Sequence, residues 1–398
     1  MLFSDVIGQS TTKQHLAEMV EQNRLSHALL FLAKEGAGGL PLAMAFAQYI
    51  VSLPPDAPVV EDLFGGMTAL APSSGFIHPD QIADQPGFQR AAQLIHPDLH
   101  FTYPVIPRKP GDKPTSSDYI EEWRSFIQNY PYGNVYDWLQ NIGADNKQGN
   151  ITAEECNQII RQLSLKSFES KYKVLLLWMP EYLGKEGNKL LKLIEEPPAN
   201  TLFILVAENE EQILPTILSR CQLVRIPALE DDDIEQALIE RAKAAPDAAK
   251  QITAICEGNY REALQLLQHA DEDWHSLLRE WLNAMLKNGP AAQVKFVDEI
   301  SKLGREKQKQ FLRYFNHLLE QSIRIRVLGE ERVKQGEIEK DFAKRLNKIA
   351  SVSQQEAIID ELDRASYYIE RNANAKMLFQ ALTIKLYHII QNKTLILN

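Results

Sequence analysis

The stretch from 173 to 207, KVLLLWMPEYLGKEGNKLLKLIEEPPANTLFILVA, decides the fold of this chain. Its two ends, 173–178 and 201–207, are short apolar runs typical of strands that are buried on both faces of a sheet. Between them, 187–196 has the pattern of a helix that ends at a double proline. A strand, a helix and a second strand in this order predict two parallel strands joined by a helical crossover.

The same alternation continues on both sides of this stretch. Upstream, a buried strand at 27–32 leads through a glycine-rich turn into a helix at 40–53. Thr152, three residues before Glu155, predicts a capped helix start. The remaining elements of this part are helices at 10–23, 118–129, 152–163 and 211–219, and strands at 98–105 and 222–227. The sequence therefore predicts a mainly parallel sheet with helices on both faces.

After residue 227 the pattern becomes helical, without further strand candidates. We predict three domains: an α/β domain over 1–227, a small helical domain over 228–272 and a larger helical domain over 273–398. The predicted fold class is thus α/β followed by all-α. Residues 54–97 are rich in Pro, Gly and Ser and show little periodicity, which predicts an irregular insertion within the first domain.

The composition is that of an ordinary globular protein, with 44% hydrophobic and 24% charged residues among 398 and a formal net charge of −10. An acidic chain is a poor candidate for binding duplex DNA alone, because phosphate contacts require clustered Lys and Arg. The charge is uneven, since 228–280 carries 13 acidic and 5 basic side chains (net −8) and 301–350 carries 13 basic and 7 acidic ones (net +6). We interpret the basic stretch as solvated helix faces.

Cysteine usage and hydropathy indicate the compartment. Cys156, Cys221 and Cys256 are odd in number and far apart, which favours neither a disulfide framework nor a cysteine metal site. The start of the chain lacks the pattern of a secretory signal, and no apolar run approaches the roughly 18 residues that span a bilayer. We therefore expect a cytoplasmic protein that does not contact a membrane.

The glycine-rich turn between the first strand and its helix lies where a P-loop binds phosphate. Gly36, Gly38 and Gly39 retain the glycines, whose backbone N–H groups and following helix attract anions. A working P-loop also needs Lys for the β and γ phosphates and Ser or Thr for Mg²⁺. Gly39 and Leu40 occupy these two positions, so the motif is degenerate.

The second half of the site is altered as well. The strand that ends at Trp178 should deliver an Asp for Mg²⁺ and then a Glu that polarises water, but Trp178 and Met179 stand there. Backbone contacts alone leave weak nucleotide binding open, whereas efficient hydrolysis is not expected. The structural alternative is that residues 36–39 form only a tight strand–helix turn.

Several strings in the chain resemble the AAA+ clamp-loader family, over about residues 1–50 and 95–270. The most specific group lies within 188–221. The strings are FSDVIGQ at 3–9, RLSHA at 24–28, NKLLK at 188–192, EEPP at 195–198, NTLF at 200–203, LPTILSRC at 214–221 and GNYREAL at 258–264. The resemblance implies a P-loop AAA+ module, a small helical lid and a C-terminal collar that joins neighbours in a ring. It also implies the function, in which the ring opens a sliding clamp and places it on primed DNA during replication.

Within this family, the degenerate ATP site resembles that of a non-catalytic member of the DNA polymerase III clamp loader. The resemblance then implies that neighbouring motor (gamma/tau) subunits bind the ATP and that a delta subunit is a further partner. It implies that the chain acts on the sliding clamp and primer–template DNA as part of the complex. One alternative is a divergent AAA+ ATPase active on its own, with Lys34 at the phosphate and Glu181 at the water. Another is a helical scaffold without a clamp.

Two arginines match functional positions of the family. The resemblance implies that Arg220, in the Ser-Arg-Cys string, acts in trans as an arginine finger on ATP bound by the adjacent subunit. A guanidinium suits this role because its planar fork makes paired bonds to phosphate; the alternative is an Arg that stabilises a helix C-terminus. Arg261 matches a lid Arg that contacts the γ-phosphate in ATP-binding relatives, and an ion pair is an equally good interpretation here.

The sequence gives little support to a metal site. Family members usually carry a four-cysteine zinc module in the insertion after the first helix, but 51–97 contains no cysteine. Two His-Pro-Asp triplets, 78–80 and 96–98, remain as metal candidates, although such loops more often form turns. We expect neither zinc nor another cofactor in this chain.

Overall fold

A computed structural model describes residues 1–54, 59–61, 67–69, 77–144, 147–268, 274–329, 337–370 and 373–391. The chain divides into two compact units, Met1–Leu267 and Gln268–Asn398. Of the insertion predicted to be irregular at 54–97, residues 55–58, 62–66 and 70–76 lie outside the described residues, and 79–92 form a 3₁₀ segment and an α-helix instead. The predicted boundary between 272 and 273 also lies outside the described residues. The three-domain division stays a prediction.

Five strands form the central sheet of the first unit, and every pair of neighbours is parallel. In chain order, the strands of the described residues are β1 (Ala28–Ala33), β2 (Val59–Glu61), β3 (Met67–Ala69), β4 (Leu99–Thr102), β5 (Lys173–Trp178), β6 (Thr201–Ala207) and β7 (Gln222–Ile226). The order across the sheet is β4-β5-β6-β1-β7, while β2 and β3 form a separate antiparallel pair. The first strand of the chain thus lies between the last two.

Eight α-helices accompany these strands in the described part of the chain up to β7. They are α1 (Ser10–Glu21), α2 (Gly39–Ser52), α3 (Pro86–Ala92), α4 (Ile120–Asn129), α5 (Val135–Asn141), α6 (Ala153–Ser164), α7 (Leu191–Glu195) and α8 (Pro215–Leu218). Short 3₁₀ segments lie at Phe3–Asp5, Pro79–Asp84, Ser116–Tyr119, Pro180–Leu190 and Glu210–Gln212. The predicted cap of α6 is confirmed, because Thr152 Oγ1 accepts the Glu155 N–H at 3.1 Å.

Two predicted helices differ from the structure in kind. The helix predicted for 187–196 is a 3₁₀ segment up to Leu190 and an α-helix only afterwards, with Gly184 at φ 49° and ψ −140° breaking the earlier turn. The helix predicted for 211–219 is likewise split, because extended Ile213 separates two short turns. Periodicity identified the helical character of both segments, but it does not reveal where the backbone changes direction.

The three central strands of the sheet, β1, β5 and β6, contribute to two apolar cores, one on each face. On one face, Leu29 and Phe31 of β1 pack with α2 and with aromatic side chains of α4. On the other face, Leu30 of β1 packs with α6 and with Ile217 of α8. Successive side chains of a strand point to opposite faces, so uninterrupted apolar runs are required here. The predicted α/β layering is confirmed.

Three further helices complete the first unit: α9 (Asp231–Glu240), α10 (Pro246–Cys256) and α11 (Tyr260–Gln268). We call this group the lid. Its apolar core contains Ile234 and Tyr260 from the lid itself, and also Ile7 and Tyr132 from distant parts of the chain. The lid is therefore built onto the α/β part through shared core residues.

The second unit is entirely helical in the part that the structure describes. Its helices are α12 (Trp274–Leu286), α13 (Pro290–Ile300), α14 (Arg305–Leu328), α15 (Glu337–Ile349), α16 (Val352–Glu370) and α17 (Ala375–Gln391). Trp281 lies at the centre of their core, fully buried, and donates from Nε1 to Thr383 Oγ1 at 2.9 Å. The prediction of an all-α second part is confirmed. Among the helices of the described ranges, none has both the length and the apolar character needed to cross a bilayer.

Candidate functional site at the glycine turn

The glycine turn connects β1 to the start of α2, as the sequence predicts. Gly36 and Gly38 have φ values of 70° and 94°, which L side chains rarely adopt. Gly39 is the first residue of α2, and a Cβ placed there would lie 2.6 Å from the Cβ of Ala33. The position that carries Lys in a working P-loop is therefore sterically closed to a side chain in this backbone.

Apolar groups occupy the other positions of the degenerate site. Leu40, Trp178 and Met179 are all buried, and Met179 has a left-handed backbone with φ 60°. The Trp178 ring lies 5.3 Å from that of Trp123 and 5.8 Å from that of Phe126. These side chains are packed into the core, and none of them has an oxygen atom that could coordinate Mg²⁺.

In the alternative ATPase interpretation, Lys34 and Glu181 take the roles of the missing residues, and Lys34 lines the cavity at the turn. Lys34 is exposed at the edge of the turn. Glu181 Oε1 accepts the backbone N–H groups of Glu208 and Asn209 at 2.7 and 2.9 Å. Burial raises the pKa of the Glu181 carboxyl, and these backbone hydrogen bonds oppose the shift. The carboxyl therefore anchors the loop after β6.

A segment from the connection between α4 and α5 fills the space in front of the glycine turn. Pro131, Tyr132 and Gly133 line what remains, a cavity of about 20 Å³ that has room for little more than one water molecule. Tyr132 is 6% exposed, and its hydroxyl oxygen accepts the Ile7 N–H at 2.7 Å. Its ring meets the ring of Tyr260 edge to face at 5.0 Å between centroids. These groups narrow the space beside the glycine turn.

Arg261 of the lid is bound by two carboxylates. It is 5% exposed, and its Nε and Nη2 bond to the two oxygens of Asp137 at 2.5 and 2.6 Å. Its Nη1 lies 2.9 Å from Glu35 Oε1, and Glu35 Oε2 accepts a hydrogen bond from Asn134 Nδ2 at 3.0 Å. Of the two interpretations of Arg261, the ion pair is the one seen in this structure.

Sequence reasoning did not find the residues that close this site. The glycines and Arg261 lie together, but Tyr132, Asp137 and Glu35 were not among the candidates. One signal was present, because Asn134 and Asp137 have capping-box spacing and bond to each other's backbone N–H groups at 3.0 and 3.1 Å. That signal predicts the start of α5, but the contact with the lid depends on the tertiary fold.

Arg220 lies between α8 and β7, and it is distant in the sequence from the glycine turn. Its Nη1 donates to the Thr216 carbonyl at 2.9 Å, and its Nη2 lies 3.2 Å from Glu195 Oε2. The side chain of Arg220 is 31% exposed and that of Glu195 57%. Within the described residues, Arg220 Nε is buried and has no hydrogen-bond partner. The guanidinium is thus held at the end of a helix by bonds that are partly open to solvent.

The two His-Pro-Asp triplets form turns, and the described part of the chain contains no group of His, Cys, Asp and Glu arranged to hold a metal ion. The Asp98 N–H donates to His96 Nδ1 at 3.2 Å. The Asp98 carboxylate, 1% exposed, accepts the backbone N–H groups of Phe168, Glu169 and Ser170 at 2.6, 2.8 and 2.9 Å. Asp98 therefore fixes the loop that precedes β5.

Replacing Asp98 with alanine is expected to lower the free energy of unfolding by about 2–4 kcal/mol, because three N–H groups lose a charged acceptor. Asp80 is the matched control, since it ends the other triplet and its side chain is 60% exposed. Asp80→Ala is expected to change stability by less than about 1 kcal/mol. Urea denaturation followed by circular dichroism measures both. Equal losses would show that Asp98 has no special part in holding the loop.

Comparison with known proteins finds relatives among the subunits of DNA polymerase III. Residues 84–230 match the family described as DNA polymerase III, delta subunit. Subunit gamma of Buchnera aphidicola DNA polymerase III is 34% identical over 123 residues, which cover 29% of this chain and 34% of the relative. Subunit delta' of Bacillus subtilis DNA polymerase III is 25% identical over 252 residues, covering 63% of this chain and 56% of the relative. The chain thus spans between about a third and just over half of the length of these relatives.

Among solved structures, a DNA polymerase III gamma-subunit-related protein of Thermotoga maritima aligns with 95% of this chain and 99% of its own length. The identity is 14% and the TM-score 0.37, so this similarity adds nothing to the sequence matches. The family match over 84–230 spans β4 to β7 of the sheet and the segment around Arg220. Over these residues the chain is similar to DNA polymerase III delta, delta' and gamma subunits.

Proposed function

We propose that the chain is a delta prime subunit of the bacterial DNA polymerase III clamp loader. In this role it helps to load the sliding clamp onto primer–template DNA in the cytoplasm, and it hydrolyses no ATP itself. Its partners would be the motor (gamma/tau) subunits and the delta subunit. The clamp and the DNA would be reached through the complex.

The closed glycine turn is the observation that carries this proposal. Gly39 and Leu40 supply neither the cation nor the hydroxyl that a triphosphate with Mg²⁺ requires, and Trp178 and Met179 supply no carboxylate. Pro131, Tyr132 and Gly133 narrow the remaining cavity to about 20 Å³. A family member with such a site is best suited to act through its neighbours.

Arg220 supports the second part of the proposal, in which this chain serves the ATP site of an adjacent subunit. Its guanidinium is partly exposed, and its bond to Glu195 is an exposed ion pair of the kind worth about 1 kcal/mol or less. Release from Glu195 therefore costs little compared with the bonds that a guanidinium makes to a phosphate. The same side chain can be docked in the free subunit and turned outward in a complex.

Two measurements on the purified chain test the proposal. Titration with Mg-ATP is expected to show neither micromolar binding nor turnover. Mixing with the motor and delta subunits is expected to give one co-eluting complex that hydrolyses ATP. Micromolar binding with turnover by this chain alone would favour the divergent ATPase that uses Lys34 and Glu181. Failure to join the other subunits would favour a scaffold unrelated to the clamp.

A further inference from the structure

One short segment of the first unit touches both sides of the closed cleft. This segment, residues 130–138, comprises the α4–α5 connection and the first turn of α5. It places Tyr132 and Asp137 between the glycine turn and the lid. Tyr132 contacts Gly38 of the turn, where an added Cβ would lie 3.3 Å from the ring. The same ring belongs to the apolar core of the lid. The segment therefore contacts both the glycine turn and the lid, which are more than 120 residues apart in the sequence.

Asp137 makes the polar half of this connection. Both of its oxygens bond to Arg261 of the lid, and Glu35 beside the glycine turn completes the pairing of the guanidinium. This group contains two carboxylates and one guanidinium, so its net charge is negative. A helix start preceded by glycines attracts anions, but here the nearest basic side chain of the lid is already paired with carboxylates.

The backbone of the lid meets the turn directly at this place. The Tyr260 N–H donates to the Gly36 carbonyl at 3.2 Å. Asn259 packs so closely on Gly36 that a Cβ on this glycine would overlap its Oδ1. Lid and turn are therefore in contact, and the segment 130–138 closes the remaining side of the cleft.

We propose that residues 130–138 act as a built-in ligand: the ring of Tyr132 and the carboxylate of Asp137 occupy the cleft permanently and hold the lid against the glycine turn. A bound ligand stabilises a closed arrangement by bonding to both sides of a cleft, and a tethered segment does so at a high effective concentration. The lid of this chain thus keeps one orientation without any diffusible ligand. This inference concerns the free chain and does not depend on its role in an assembly.

Two backbone amides report on the connection. The Tyr260 N–H bonds to Gly36, and the Ile7 N–H bonds to the Tyr132 hydroxyl. Local opening of the lid exposes both to exchange with solvent, while amides of the central sheet such as Leu175 stay protected. Hydrogen–deuterium exchange of the full chain, resolved to single amides by NMR, follows all three.

The double variant Tyr132→Phe/Asp137→Asn removes the hydroxyl acceptor and one charge of the ion pair while it retains the shapes of both side chains. We expect exchange at Tyr260 and Ile7 to become at least about tenfold faster, with Leu175 unchanged. Tyr119→Phe/Glu122→Gln is the matched control, located at and before the start of the neighbouring helix α4. It removes the bond from the Tyr119 hydroxyl to Ile106 and the ion pair of Glu122 with Arg108.

Equal exchange rates in the double variant and its control would overturn the inference. If the double variant loses protection throughout the sheet, the single changes Asp137→Asn and Glu122→Gln are compared on the same two amides, and equal rates again overturn it. Adding Mg-ATP to the unchanged chain separates this inference from the proposed function. Protection gained with nucleotide would contradict the nucleotide-free role, whereas the variant comparison alone decides whether the segment holds the lid.

Discussion

Arg220→Ala is expected to slow hydrolysis by about 10³-fold at the ATP site of the subunit that adjoins this chain, the lower end of what a trans-acting arginine contributes. The expected physical reason is the loss of paired, charged hydrogen bonds to a phosphate in the transition state. Single-turnover hydrolysis by the reconstituted complex measures it. The phase that comes from the adjoining site should disappear, and phases from other sites should remain.

The stability of the chain should scarcely change with this substitution. Arg220 loses one exposed ion pair with Glu195 and a bond to the Thr216 carbonyl, so we expect a loss of less than about 1.5 kcal/mol. Arg225→Ala is the control, because Arg225 forms an exposed ion pair with Glu210 of the 3₁₀ segment after β6. It should leave every phase of hydrolysis in place. Unchanged single-turnover kinetics with Arg220→Ala would remove the proposed finger.

Trp123→Ala is expected to lower the free energy of unfolding of the first unit by about 3–5 kcal/mol, the usual cost of emptying a buried aromatic site. Trp123 is fully buried, stacks on Tyr103 at 4.1 Å between centroids, and contacts Trp138 edge to face at 5.4 Å. The change leaves a cavity behind the degenerate site, next to Trp178. Urea denaturation followed by far-ultraviolet circular dichroism measures the loss.

A comparison of two phenylalanine variants tests the chemical detail of this cluster. Within the described residues, Trp123 Nε1 has no hydrogen-bond partner, whereas Trp138 Nε1 donates to the Pro104 carbonyl at 2.6 Å. Trp123→Phe removes an unsatisfied donor and should be the milder change. Trp138→Phe leaves a buried carbonyl without its donor and should cost about 1–3 kcal/mol more. The reverse order would contradict this account of the cluster.

The sequence predicts the sheet well because burial on both faces leaves a strong pattern. The bounds of β5 and β6 coincide with the runs that predicted them, since every side chain after the first residue of each strand is apolar. The start of α6 was equally predictable, because a cap is a local interaction between Thr152 and Glu155. Where local interactions determine the structure, the sequence alone is sufficient to predict it.

The candidate site was predictable only in part. The degenerate positions could be counted along the motif, but the filling of the cleft by Tyr132 could not, because nothing near residue 132 in the sequence indicates contact with residue 260. The helix α5 was missed for a related reason, since it is seven residues long and too short for a clear periodicity. Arg261 had two interpretations until the structure placed Asp137 beside it.

The order of the strands across the sheet has a consequence for how the chain is made. β1 emerges early from the ribosome, yet both of its neighbours, β6 and β7, are synthesised more than 160 residues later. Until then the apolar segment ALLFLA has two open hydrogen-bonding edges, which is the condition under which nascent strands associate wrongly. The α/β part can therefore reach its native sheet only after residue 226 has been translated, and a chain stalled before residue 201 has neither partner of its first strand.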